Sequence, residues 1–270
     1  MMLTILSTMF FLLGLIWGSF INMAVYRVKH ELSFSGRSFC DYTKKQLIWK
    51  DLVPVFSYLF YKSRCRHCGK TLPALYPIVE IITGLTFVIG FNYLLTLDST
   101  GIIFTINTLI VVMLVLLFIF FAAYDYLYWE VNVKAIQVAL IFAFVFTLLS
   151  VVFPQLVLEG WSSLLAGLIA GGLIFLVVRF TKGSGIGEGD IYLMALAGIV
   201  TGLAGLLPLF LISTVSGSII GIIKAIKIKK FHGVKIQFVP FISFAALTVF
   251  FYKDTILEFL NLESISFIFN

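Results

Sequence analysis

Long, uninterrupted apolar stretches dominate the pattern along this chain. They lie at residues 3–26, 74–95, 101–124, 133–153, 161–180, 191–206, 208–223 and 236–252. A bilayer core of about 30 Å is crossed by roughly 20 helical residues. Runs without a period-two pattern span as helices, because lipid offers no partner to an open strand edge. The pattern therefore predicts an all-α, polytopic membrane protein with about eight transmembrane helices. The first run has no basic segment before it and no small-x-small cleavage pattern after it, so it reads as a retained helix and not as a signal peptide. Four regions follow: a first helix at 1–26, a polar loop at 27–73, a helical bundle at 74–252, and a tail at 253–270. The tail interleaves Ile256, Phe259 and Leu260 with Glu258 and Glu263, the pattern of a short interfacial helix.

Composition narrows the class. Of 270 residues, 61% are hydrophobic and 12% charged, against about 45–50% and about 25% for soluble domains. Mean hydropathy is +1.09. A water-soluble globular protein and a disordered chain are excluded, and three cysteines are too few for a secreted disulfide scaffold. The net charge of +6 is unevenly spread. The loop between Arg27 and Ala74 holds ten basic and three acidic residues, a net +7, which leaves −1 for the rest. Basic loops stay on the cytoplasmic side. That rule puts this Cys-containing loop in the cytoplasm and the N-terminus outside. Lys134, Arg179, Lys182 and the run from Lys224 to Lys235 then also fall inside, and the outer connections carry no Lys or Arg. The loop's charge suits anionic headgroups, at about 1 kcal/mol per basic residue near the surface. No nucleic-acid partner is expected.

Ionisable side chains at membrane depth are costly, so each marks a candidate site. Glu80, Asp125 and Asp190 stand out. Asp125 follows the apolar run ending in Tyr124, and Asp190 closes a stretch containing Gly183, Gly185, Gly187, Glu188 and Gly189. On the alternation above, both aspartates sit at cytoplasmic helix ends, at one depth. Two neighbouring carboxyls share one proton. The ionised member can take a proton from water while the neutral one donates to a peptide carbonyl, which is the chemistry of aspartyl proteolysis. The glycines leave a backbone that an extended substrate can approach closely. Spacing alone also fits Asp125 and Asp190 as ordinary helix-end caps. Glu80 lies about two turns into its helix and reads as a structural partner of a buried donor, or as a third site carboxylate.

The loop carries Cys65-Arg66-His67-Cys68-Gly69, with Cys40 upstream and Thr43 where a second CxxC would end. Tetrahedral zinc wants four N or S ligands. Cys40, Cys65 and Cys68 are the candidate metal ligands, with His67, His30, Asp41 or water as the fourth. A stable disulfide is disfavoured in the cytoplasm.

Taken together, these segments resemble the prepilin peptidases, or type IV leader peptidases, of the GxGD integral-membrane aspartyl protease class. The resemblance runs from Gly18-Ser19-Phe20-Ile21-Asn22 and Tyr26-Arg27, through Cys40, Trp49, Asp51, Pro54 and Ser57, to the CxxC, Tyr76-Pro77 with Glu80, Tyr124-Asp125, and Gly187-Glu188-Gly189-Asp190. It implies an aspartic endopeptidase that removes the basic leader from type IV pilin-like or pseudopilin precursors, after a Gly, at the cytoplasmic face. Asp125 and Asp190 are then the catalytic pair, and no cofactor is needed for proteolysis. It also implies N-methylation of the new terminus with S-adenosylmethionine, an activity associated with the cytoplasmic loop. Two departures stand against the family pattern: Thr43 for a cysteine, and Tyr192 where members often carry Lys. The loop is as basic as a leader, so Glu130 and Glu188 are better expected leader contacts. Three rival readings are a presenilin-like intramembrane protease, a transporter using buried carboxylates, and a zinc-dependent scaffold. The first lacks the Gly18–Asn22 segment and the CxxC loop. The second would show paired broken helices in repeated halves.

Overall fold

The computed structural model describes residues 2–40, 42–97, 99–181, 187–229 and 235–262. Among them are the helices α1 (Met2–Lys29), α2 (Phe56–Phe60), α3 (Leu75–Thr96), α4 (Gly101–Tyr128), α5 (Val133–Val152), α6 (Gly160–Thr181), α7 (Glu188–Ile228) and α8 (Val239–Phe259). No strand occurs among the described residues, only two isolated bridges, Phe39 with Gln46 and Arg64 with Thr71. All helices but α2 are long and apolar enough to cross a bilayer, seven in number. The expected all-α class holds. Two compact units form, Met1–Leu97 with Val111–Ala123, and Asp98–Ile110 with Tyr124–Asn270.

In the first unit α1 packs on α3 through small residues. A Cβ on Gly14 would lie 2.6 Å from the Gly84 Cα, and one on Gly18 would lie 2.6 Å from the Glu80 Cα. Membrane helices associate through such close backbone approach, because apolar side chains gain little by leaving lipid. Polar ties fix the register: Asn22 Nδ2 donates to the Tyr76 carbonyl at 3.1 Å. Pro77 sits in the first turn of α3, where a missing N–H leaves no bond unmade. At the end of α1, buried Arg27 donates to the carbonyls of Ser33, Ser35, Gly36 and Arg37 at 2.8–3.3 Å. One guanidinium thereby folds the start of the loop back onto the helix.

In the second unit α7 has 41 residues, about 60 Å at 1.5 Å per residue, twice a bilayer core. It is interrupted at Gly202, whose φ of 70° and ψ of 176° are not helical. Both its ends return to the same place. Near the start, a Cβ on Gly189 would lie 2.7 Å from the Val131 Cβ. Near the other end, Lys224 Nζ stands 4.7 Å over the Trp129 ring and donates to the Lys235 carbonyl at 2.7 Å. The break itself lies against Glu159, in the α5–α6 turn, and Glu159 pairs with Lys253 of α8. So α7 is two antiparallel limbs, 188–201 and 203–228, joined at Gly202. The reversal falls at Gly202 and not at the sequence boundary near Pro208, because only glycine adopts this φ without strain. Pro208 lies inside the second limb. The α5–α6 turn is bound to α4 by buried Asn107, which donates to the Gln155 carbonyl and accepts from the Val157 N–H, both at 3.0 Å. α8 continues past a non-helical Tyr252 to Phe259. Glu263 and the rest of the tail lie outside the described residues.

Candidate active site

α4 runs four residues beyond its expected end, so Asp125 lies within its last turn and does not follow the helix. Trp129 caps that turn in the left-handed region, φ 56°, with its N–H donating to the Asp125 carbonyl at 2.8 Å. Gln237, just before α8, donates its side-chain amide to the same carbonyl. This leaves the Asp125 side chain 6% exposed, with Oδ2 buried and without a hydrogen-bond partner among the described residues. Asp190 stands in the first turn of α7 and is 8% exposed. Its Oδ2 accepts from the Gly187 N–H at 3.0 Å, the returning half of a capping box. The cap reading from spacing is thus part of the geometry. The Asp190 carboxylate is also near enough to Asp125 to act on it electrostatically. The second unit therefore brings together two buried carboxylates that are 65 positions apart in sequence.

The neighbouring motif residues divide by task. Tyr124 is buried, and its hydroxyl donates to Glu130 Oε1 at 3.0 Å. Gly189 is required by the Val131 contact, whereas a Cβ on Gly187 would meet only the Asp190 carboxylate, at 3.6 Å. Glu188 and Tyr192 are exposed and, with Arg179, line a groove between α6 and the first limb of α7. Gly183 and Gly185 lie outside the described residues. Trp129 and Gln237 carried no sequence signal: neither belongs to a motif, and their role exists only once the α4 end meets the segment before α8.

In the first unit Glu80 is 7% exposed. It accepts from the Val55 N–H at 2.7 Å and from the Ser19 hydroxyl, so it ties the loop and α1 to α3. Gly18, Ser19 and Asn22 all serve this junction.

The loop folds into two equivalent knuckles. The Cys40 N–H donates to the Lys45 carbonyl and the Lys44 N–H to the Cys40 carbonyl, both at 2.8 Å; the Cys65 N–H donates to Lys70 and the Gly69 N–H to Cys65, again at 2.8 Å. Each knuckle is closed by one bridge, and Lys44 and Gly69 both have positive φ, 56° and 69°. Thr43 therefore occupies the position of Cys68. The Sγ atoms of Cys40, Cys65 and Cys68 lie within 4.8 Å of one another, with two pairs at 3.6 Å. Tetrahedral zinc with Zn–S of about 2.3 Å sets sulfurs about 3.8 Å apart, so the three thiols can hold a metal ion. Burial pushes the Cys40 thiol up, but hydrogen bonds from Thr43 and Tyr42 outweigh it and bring the value down to about 6. For Cys68 the Lys70 amide pulls down, while burial and the two neighbouring sulfurs prevail and raise it. Of the expected fourth ligands, His67 Nε2 faces Asp51 at 3.6 Å and His30 lies against the Tyr26 ring; Asp41 lies outside the described residues.

Residues 12–94 match the family model described as Bacterial Peptidase A24 N-terminal domain, and residues 109–222 match the Type IV leader peptidase family. The prepilin leader peptidase/N-methyltransferase of Bacillus subtilis (strain 168) is 29% identical over 251 residues, 92% of this chain and 95% of the relative. Proteins of the same name from Myxococcus xanthus (strain DK1622) and Neisseria gonorrhoeae are 28% and 26% identical, over 79% and 92% of this chain and 61% and 91% of theirs. No solved structure matches. With two family models in chain order and relatives aligned along nearly the whole all-α, multi-pass chain, this protein belongs to the type IV leader peptidase family.

Proposed function

We propose that this chain is a prepilin peptidase that cleaves the basic leader of type IV pilin-like or pseudopilin precursors, after a Gly, with Asp125 and Asp190 as its catalytic pair. The observation that carries the reading is the meeting of these two buried carboxylates in one unit, Asp125 keeping an oxygen without a partner among the described residues. One carboxyl, ionised, draws a proton from water; the other, protonated, donates to the scissile carbonyl. The two titrate as a pair, not singly. The Gly187 N–H stabilises negative charge on Asp190, which favours Asp190 as the ionised member. The names of the relatives support the substrate class, and they lend nothing to the presenilin-like or transporter readings.

Basic residues near the α7 end, Lys224 and Lys235, approach the Trp129 turn beside Asp125. By the positive-inside rule that end faces the cytoplasm, with the N-terminus outside. The same rule gives the loop of 27–73 to the cytoplasm, over anionic headgroups. We also read the three-thiolate cluster as a zinc site and the relatives' second activity as N-methylation of the new terminus from S-adenosylmethionine.

The test is cleavage of a co-expressed precursor. Asp125→Asn and Asp190→Asn should each lower processing by at least about 10²-fold, the lower end of a general acid–base contribution, at normal membrane abundance. Unchanged processing in both variants overturns the reading.

A further inference from the structure

The polar loop does not stay level with the helix ends that carry it. α3 has 22 residues, about 33 Å at 1.5 Å per residue, close to the thickness of a bilayer core. Glu80 stands five residues inside its start at Leu75, about 7.5 Å along the axis. There its Oε2 accepts from the Val55 N–H at 2.7 Å. Its carboxylate also accepts from the Ser19 hydroxyl, ten residues before the end of α1 at Lys29. Val55 is the cap residue before α2. The middle of the loop is thereby folded down beside α1 and α3, level with the interior of α3.

Backbone at that depth needs its polar groups satisfied by protein, because lipid satisfies none. This segment meets the requirement. Pro54 has no N–H to place. The N–H groups of Phe56, Ser57 and Leu59 go to the carbonyls of Pro54, Val53 and Val55. The Val55 N–H goes to Glu80, so membrane depth explains the task of this buried carboxylate. Val55 has a φ of 61°, a strained value for a β-branched residue, so its surroundings impose the turn.

α2 presents two unlike faces. Ser57, Tyr58 and Tyr61 line a cavity together with Glu80. Phe56, Leu59 and Phe60, spaced as one helical face, are 65%, 66% and 81% exposed. Trp49 and Leu52 add exposed apolar area just before them. Exposed Lys50 and Lys62 bracket the segment, in a loop of net charge +7. An apolar face between cations matches a phospholipid leaflet, with acyl chains for the rings and anionic headgroups for the lysines. A soluble partner would leave the depth of Val55 unexplained.

We propose that residues 52–60 form a re-entrant anchor, with Phe56, Leu59 and Phe60 inserted among the acyl chains of the leaflet next to the loop and Lys50 and Lys62 at its headgroups. This deepens the reading that the loop lies over anionic headgroups, by putting part of the loop through them. The anchor is a third attachment of the loop to the membrane, besides α1 and α3, and limits how the loop can tilt.

The experiment is photolabelling of the full chain in nanodiscs of phosphatidylethanolamine and phosphatidylglycerol, with a diazirine either in the upper acyl chain or on the headgroup. In the wild type the acyl probe should mark peptides of 52–60, as it marks α1 and α3, and leave the two Cys knuckles unmarked. Phe56→Asp combined with Phe60→Asp should lose the acyl label on 52–60 and keep it on α1 and α3. Headgroup label alone on the loop overturns the insertion and leaves the loop on the membrane surface. Label from neither probe overturns both readings. Crosslinks from 52–60 to a second copy, without acyl label, overturn the anchor in favour of a dimer face. Acyl label on the knuckles equal to that on 52–60 overturns it, since insertion would not be confined to this face. Acyl label unchanged in the double variant overturns it too, since the apolar face would not hold the segment in place. If that variant does not accumulate, the wild-type pattern decides. None of these readouts depends on leader cleavage.

Discussion

Gly18 has no room for a methyl group, because the atom it would meet is the Glu80 Cα, backbone that cannot turn aside. Gly18→Ala should therefore cost about 1–3 kcal/mol of overpacking, read as a lower midpoint of thermal unfolding in detergent. Gly172→Ala, with nothing within 4 Å, is the matched control and should change little. The family-like segment around Gly18 is thus explained by packing, while Asn22 and Ser19 in the same segment are explained by hydrogen bonds to α3. At Thr43 the reasoning runs the other way. The position is equivalent to Cys68 in the second knuckle and holds a hydroxyl. Thr43→Cys should complete a four-thiolate site and raise zinc affinity at least about tenfold by chelator competition, since thiolates are the preferred ligands of structural zinc. Cys65→Ser should remove the metal, about one ion per chain, and acid should release it from the wild type, because thiols must lose protons to bind. Metal-free wild type would end the zinc reading.

At the scale of elements, the reversal of α7 depends on a charge pair that sequence periodicity does not reveal. Glu159 lies against Gly202 at the start of the second limb and is paired with Lys253, both side chains mostly buried. A carboxylate at a helix N-terminus is favourable, and Lys253 offsets its charge. Lys253→Met should cost about 2–4 kcal/mol by leaving Glu159 unpaired, and the double variant with Glu159→Gln should recover most of it, because loss of one partner of a buried pair is worse than loss of both. Thermal unfolding of the three proteins decides this. Equal loss in the single and double variants would mean that the cost of Lys253→Met does not come from leaving Glu159 unpaired. Nothing in the sequence joins Glu159 and Lys253, which stand 94 positions apart.

At the scale of the whole molecule, we expect the reversal of α7 at Gly202 to put Gln155 and Lys229 on opposite sides of the membrane, whereas a single-pass α7 would place them on the same side. Cysteines introduced at these positions, with the three native ones replaced by serine, should be labelled from outside at 155 and only after permeabilisation at 229. The reverse result, or equal labelling, would refute the topology. The sequence by itself determined the class, the near-count of spans and the expected sidedness, because burial in lipid forces long apolar helices and confines Lys and Arg to one side. It also carried Asp125, Asp190 and the three cysteines, because scarce polar groups in an apolar chain are conspicuous. It could not say that Asp125 lies inside α4, that α7 turns at Gly202 and not near Pro208, that Gln237 and Trp129 hold the Asp125 carbonyl, or that Thr43 stands level with Cys68. Those follow from contacts between segments far apart in the chain. Only the packed structure decides them, since local periodicity records which face of a helix is apolar and not which helix it meets.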